Sequence, residues 1–157
     1  KSQTDITIVS FHGGAEGTEH VRVPKKAEIF YGENRGNVHH FARSVVDAGA
    51  DIVLGHGPHV TRAVEVYKNK FIAYSLGNFN TYGRFSLTGD KGIAPLLDIK
   101  LKSNGDFLSA KVVSVKQTKE KGLELDAENR AFQRIKQLTK LDFPEQNLKF
   151  EENTIKL

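Results

Sequence analysis

An α/β fold is what this sequence predicts, and two observations carry that prediction. A β-branched, almost wholly apolar run, "DITIVSF" (5–11), is followed by an amphipathic helical stretch and a second apolar run, "ADIVLG" (50–55). Strand, helix and strand in that order form a crossover unit, which is almost always right-handed with parallel strands. Beyond residue 60 the pattern changes to alternating segments broken by tight turns, as expected of antiparallel hairpins.

Each element has its own local reason. The run 5–11 has the continuous apolar character of a strand buried on both faces. Residues 13–32 are polar and turn-rich, with Pro24 inside them. "NRGNVHHFARSVVDAG" predicts a helix from about Asn34 to Ala48, because Val38, Phe41, Ala42, Val45 and Val46 share one stripe and Gly49 suits a left-handed C-terminal cap. "RAVEVYKNKFIAYSLGNF" alternates around "KNK", a hairpin turn between Val66 and Phe71, and a Gly-, Asn- and Thr-rich loop follows to about Ile93. "APLLDIKLKSNGDFLSAKVVSVKQT" predicts a second hairpin around Asn104-Gly105. Asp126 reads as the N-cap of a helix with Ala127, Ala131, Ile135 and Leu138 on its apolar stripe, and "LKFEENTIKL" as a last strand.

Composition narrows the class. The 157 residues are 38% hydrophobic and 27% charged, enough for a domain with its own core. Residues 1–118 are expected to form its body, with the helix and tail of 119–157 packed on it. No apolar run approaches the roughly 20 residues of a membrane span. The chain contains no methionine and starts at Lys1, so it is expected to be a processed product or a segment, with any signal or anchor upstream. The absence of cysteine rules out disulfides and thiolate metal sites. The net charge of +4 and pI near 9.2 suit an acidic partner. No Arg/Lys cluster is interleaved with aromatics, so a nucleic-acid partner is not expected.

The chemistry-bearing residues gather at one place. In a parallel crossover both strands end at the same sheet edge, so "HGGAEG" (12–17) and "GHGPHV" (55–60) should emerge side by side. Ligand sites of open α/β sheets lie at this edge. His12, Glu16, His56 and His59 are therefore expected to be neighbours. Gly57 permits a tight turn and Pro58 stiffens it, so His56 and His59 read either as ligands for a Zn, Mn or Fe ion or as residues of a rigid turn. Gly13 and Gly14 would let a ligand approach the backbone closely. Asn78, in "YSLGNF", either bonds a ligand or closes its own turn. His39 and His40 are adjacent on a helix, point about 100° apart and cannot form one site, and read as surface or rim residues. His20 is assigned no role.

Together, "DITIVSFHGGAEG" and "ARSVVDAGADIVLGHGPHVTRAVEVYKNKFIAYSLGNF" resemble the CapA/PgsA family of bacterial poly-γ-glutamate capsule synthesis proteins, of the calcineurin-like metallophosphoesterase superfamily, over roughly residues 5–101. The resemblance implies a metallophosphoesterase-like α/β/β/α sandwich, present here as its C-terminal half. The family's His-x-Gly-x-Glu pattern falls on His12, Gly14 and Glu16, and its Gly-x-x-Pro-His pattern on Gly55, Pro58 and His59. The family often carries a second histidine where this chain has Gly57. The resemblance further implies a divalent metal (Mn, Zn or Fe) on His12, His56 and His59, with His59 and Glu16 catalytic and Asn78, Gly13 and Gly14 contacting substrate. Two readings remain open: a capsule-assembly and export protein, and a metal-dependent phosphoester hydrolase with another substrate. A binding domain with a vestigial site is a third. The implied partners are an anionic polymer or phosphorylated substrate and capsule-assembly proteins, at an extracytoplasmic cell-envelope location.

Overall fold

A computed structural model describes residues 4–81, 83 and 85–157. In chain order, β1 (Ile8–His12) leads through a short 3-10 turn at Thr18–His20 into a small hairpin, β2 (Ile29–Phe30) and β3 (Glu33–Asn34). Then come α1 (Val38–Asp47), β4 (Ile52–His56), β5 (Val64–Tyr67), β6 (Lys70–Ala73), β7 (Ile93–Leu101), β8 (Phe107–Thr118), β9 (Gly122–Leu125), α2 (Arg130–Asp142), β10 (Lys149–Glu151) and β11 (Thr154–Lys156).

The predicted crossover is present. β1 and β4 are parallel neighbours in the register Ile8↔Ile52 through His12↔His56, and the first sheet runs β1-β4-β6-β5. Helix α1 starts later than expected. Arg35 and Gly36 are taken up by backbone bonds to Glu28, and Asn37 caps the helix by accepting the His40 N–H at 3.0 Å. Its end matches the prediction: Gly49 has φ +110°, and the N–H groups of Gly49 and Ala50 return to Val46 and Val45 at 2.9 Å, a Schellman closure. The β5–β6 turn places Lys68 and Asn69 at φ +49° and +63°, the primed geometry that suits strand twist.

The later hairpins build a second sheet in the order β10-β11-β8-β7, with β9 also paired to β8. One core lies between the sheets, where Ile52, Val64, Phe71 and Ala73 meet Phe107, Ala110 and Val112, joined by Phe132 and Ile135 of α2. The Phe71 and Phe107 rings stack at 4.9 Å. The other core lies under α1, where Val38, Ala42 and Val46 cover Val53, Ile72 and Tyr74, with Leu138 and Phe143 closing one end. Helix α2 and the segment after it protect the β5 edge: Thr139 Oγ1 accepts the Val64 N–H at 3.0 Å, and Gln146 Oε1, beyond the helix, accepts that of Val66 at 2.9 Å. Edge amides satisfied in this way are closed to further strands.

Several expectations change. The run 5–11 is not buried on both faces, since Ile8 is 57% exposed. Among the described residues β1 pairs only with β4, and α1 covers only the face that carries Val9 and Phe11. Ala127 lies before α2 and is exposed. The N-cap position belongs to Asn129, at φ +53° without a side-chain bond. Asp126 does its capping from further back, accepting the Arg130 N–H at 2.9 Å. Burial alone would push the Asp126 pKa up, yet the Arg130 guanidinium and backbone N–H outweigh it and hold the carboxyl below its ordinary range. The tail forms a two-strand hairpin rather than one strand. The β2–β3 hairpin and β9 were not anticipated. In the loop expected to run to Ile93, Tyr82 and Arg84 lie outside the described residues.

Candidate functional site at the carboxyl edge of the first sheet

The two loops do emerge together, and backbone bonds stitch them. Gly13 N–H donates to His56 O, and Gly17 N–H donates to Pro58 O, each at 2.9 Å. His12 and His56 are register partners at the ends of parallel strands, so their side chains leave the sheet on the same face. Burial, aided by the neighbouring His12, holds the His56 imidazole below the usual histidine range. The intervening Gly57 has φ +116°, and a Cβ there would lie 2.8 Å from Gly13 O. In this backbone a side chain at position 57 would have to displace the Gly13 main chain, the local reason for glycine here.

His59 is held differently. Its backbone sits at φ +57°, an unusual region for a residue with a side chain, and Asn78 grips it twice. His59 Nδ1 is 2.8 Å from Asn78 Oδ1, while Asn78 Nδ2 donates to His59 O at 3.3 Å and to Lys91 O at 3.0 Å. Because the amide nitrogen is spent on two carbonyls, its oxygen faces His59 as an acceptor. His59 Nδ1 must then carry the proton, leaving Nε2 as the open nitrogen. Nε2 lies 3.9 Å from Glu16 Oε2. The other Glu16 oxygen accepts from Arg35 Nη2 at 2.8 Å, and Arg35 Nε is 3.2 Å from Glu33. The Phe85 ring lies 4.7 Å from the imidazole.

A buried ion pair anchors the loop that carries Glu16. The Arg62 side chain is 0% exposed and that of Glu28 is 5% exposed. Arg62 donates to both Glu28 oxygens at 3.0 and 2.8 Å, to Ala15 O at 3.0 Å and to His20 O at 2.8 Å. Glu28 Oε2 accepts the Ala15 N–H at 3.0 Å. Gly14 lies against this pair, and a Cβ on it would sit 3.0 Å from Arg62 Nη1.

His12, His56 and His59 line one cavity of about 600 Å³, whose opposite wall is apolar and includes Leu54, Leu76 and Leu97. The four expected neighbours thus fall into two pairs, His12 with His56 and His59 with Glu16. Among the described residues no three His, Cys, Asp or Glu side chains converge to hold a metal ion. Gly13 and Gly14 spend their N–H groups within the protein, on His56 O and Arg35 O at 2.9 Å. Neither amide is left for a ligand. Asn78 is likewise committed to His59 and Lys91, and is 5% exposed. His39 is not a rim residue, as it stacks with Tyr74 and Phe143 at 6.2 and 6.0 Å. Reading the sequence missed Arg62, Glu28 and Arg35. The one available signal was an arginine set within the apolar stretch that leads to β5.

Two stacked sheets, the first with a parallel β1–β4 pair, agree with part of a metallophosphoesterase-like α/β domain, the fold of the family whose profile the chain matches. The chain belongs to the family of bacterial capsule synthesis proteins, PGA_cap, whose profile matches residues 1–82. It is similar to the PGA biosynthesis protein CapA of Bacillus subtilis (strain 168), 35% identical over 105 residues, which are 67% of this chain and 23% of that protein. The capsule biosynthesis protein CapA of Bacillus anthracis is 34% identical over 105 residues, covering 67% and 22%. A probable polyglutamine synthesis accessory protein of Mycobacterium tuberculosis (strain H37Rv) is 36% identical over 78 residues, covering 50% and 17%. The chain therefore spans about a quarter or less of the length of these relatives.

Proposed function

We propose that the protein works at the cell envelope, outside the cytoplasm, in making or exporting an anionic capsule polymer of the poly-γ-glutamate type, with His59 as the proton-handling group of its site. The family membership supports the process. The observation that carries the site is the double grip of Asn78 on a histidine in left-handed backbone, since strain of this kind is kept where a side chain must be aimed. With Nδ1–H donated to Asn78 Oδ1, Nε2 accepts a proton from a bound group or, once protonated, returns it. Glu16, braced by Arg35, faces that nitrogen at 3.9 Å. Asn78 acts on a ligand through His59 rather than by direct contact.

A divalent ion of the Mn, Zn or Fe class would find two imidazoles in His12 and His56, both at the cavity wall. The described residues do not supply a third ligand of the pair's kind, so the full set would need groups beyond them. Elemental analysis of the full-length protein tests this: metal content should fall to background in His12→Ala/His56→Ala, and unchanged content refutes the assignment. The reading as a whole is tested in a strain lacking its own copy of the gene. Wild-type protein should restore capsular polymer, and His59→Ala at equal protein level should restore at most about a tenth. Full restoration by His59→Ala ends the reading. The fold class favours a second reading, a phosphoester hydrolase with an unrelated substrate. Phosphomonoesterase or diesterase turnover that disappears in His59→Ala, with polymer level unaffected, would select it.

A further inference from the structure

Besides the main cavity, His59 and Asn78 line a second chamber. It measures about 250 Å³ and is lined by Glu16, Gly17, Tyr31, His59, Phe85 and Lys91 among others, the volume of about eight liquid waters at ~30 Å³ each. Lys91 enters it beside the Glu16 turn, since a Cβ built on Gly17 would be 3.8 Å from Lys91 Cε and 4.0 Å from Nζ. The main chain of Lys91 is tied to the same clasp as His59, through the Asn78 Nδ2 bond to Lys91 O at 3.0 Å.

The charge balance of this chamber is uneven. Glu16 is offset by Arg35 at 2.8 Å. Asp90, the sequence neighbour of Lys91, is turned away and held by Arg134 at 2.5 Å. Among the described residues Lys91 Nζ has no carboxylate within ion-pair distance. An ammonium without a counter-charge, in a cleft flanked by Tyr31 and Phe85 and next to an aimed imidazole, has the chemistry of an anion receptor. The aromatic rims suit the aliphatic part of a ligand whose charge lies inward.

We propose that this chamber is a subsite for one carboxylate of an acidic, peptide-like polymer, with Lys91 as its charge partner, so that the chain lies across His59 from the polar chamber to the apolar-walled cavity. This rests on the capsule-polymer reading and adds where the polymer binds. The test is fluorescence anisotropy of the protein with a fluorescein-labelled γ-glutamyl decamer, with glutarate and inorganic phosphate as unlabelled competitors. Lys91→Gln should weaken decamer binding by about tenfold or more, the scale of one charge-assisted hydrogen bond. Lys91→Arg should stay within about threefold, because it keeps the charge. The difference between wild type and Lys91→Gln should shrink when salt is raised from about 50 mM to about 500 mM. Lys121→Gln, at an exposed position, is the control for general surface charge. Equal affinity of Lys91→Gln and Lys121→Gln overturns the subsite while leaving the polymer reading intact. Displacement by phosphate but not by glutarate overturns the carboxylate assignment. A wild type that binds neither decamer nor glutarate overturns the subsite. Lys91-dependent glutarate binding read directly by titration calorimetry, without decamer binding, keeps the subsite and sinks the polymer reading.

Discussion

Arg62→Met removes the guanidinium that ties the Glu16 loop to the sheet, and the structure sets the size of the effect. Arg62 makes four hydrogen bonds, two of them to Glu28, and both side chains are withdrawn from water at 0% and 5% exposure. The variant leaves the Glu28 carboxylate buried with the Ala15 N–H as its remaining partner. Breaking a buried pair from one side costs about 3–5 kcal/mol. At roughly 2–4 °C per kcal/mol for a domain of this size, the melting temperature should fall by about 6–20 °C. Replacing both charges by apolar residues should cost less than replacing one, because no uncompensated charge is left in the interior. Urea denaturation followed by circular dichroism, on wild type, Arg62→Met, Glu28→Leu and the double variant, closes the thermodynamic cycle. Costs that simply add, with no coupling between the two positions, would refute the reasoning. So would a drop of under about 2 °C for Arg62→Met alone.

Other consequences can be checked on the same protein. Asn78→Ala removes both halves of the clasp on His59 and should destabilise the fold by about 1–3 kcal/mol. In ¹⁵N spectra the His59 ring should pass from the Nδ1–H tautomer to a mixture, and an unaltered tautomer would contradict the assignment. Gly57→Ala combines a φ of +116° with a Cβ 2.8 Å from Gly13 O, and should lower stability by about 1–3 kcal/mol in urea titration. Burial, reinforced by the Arg43 guanidinium, holds the His39 imidazole below its ordinary value of 6.5. The unfolded chain therefore takes up that proton first as pH falls. Stability from this group is complete above about pH 6.5 and declines from there toward the lower folded value. His39→Phe should flatten that part of the stability–pH curve, and an unchanged slope would refute the assignment.

The site was partly legible because strand order and histidine placement are local facts. Two apolar runs flanking an amphipathic helix imply a parallel pair, and parallel strands end together, so His12 and His56 had to meet. The β2–β3 hairpin was harder to see, as its strands are two residues each. Its turn does carry a signal, since Tyr31 and Gly32 take φ +50° and +79°, the geometry favoured in tight hairpins. The role of Arg35 follows from that hairpin and was out of reach without it. His39 was misjudged because helical spacing states which way a residue points but not how far the neighbouring layer extends. Phe143, more than 100 positions downstream, arrives from the end of α2 and stacks on the ring.

By itself the sequence determined the crossover, both main hairpins, the α2 apolar stripe of Ala131, Ile135 and Leu138, and the convergence of two histidine-bearing loops at one sheet edge. These depend on periodicities of two and 3.6 residues and on turn chemistry, which act over short stretches of chain. Tertiary structure decided what those histidines face. It split the expected cluster into two pairs, gave Asn78 to His59, spent the Gly13 and Gly14 amides inside the protein and set Lys91 beside the Glu16 turn. The reason is that direction, burial and charge compensation come from residues distant in sequence, such as Glu28 on Arg62 across 34 positions. No local pattern encodes which of them will arrive.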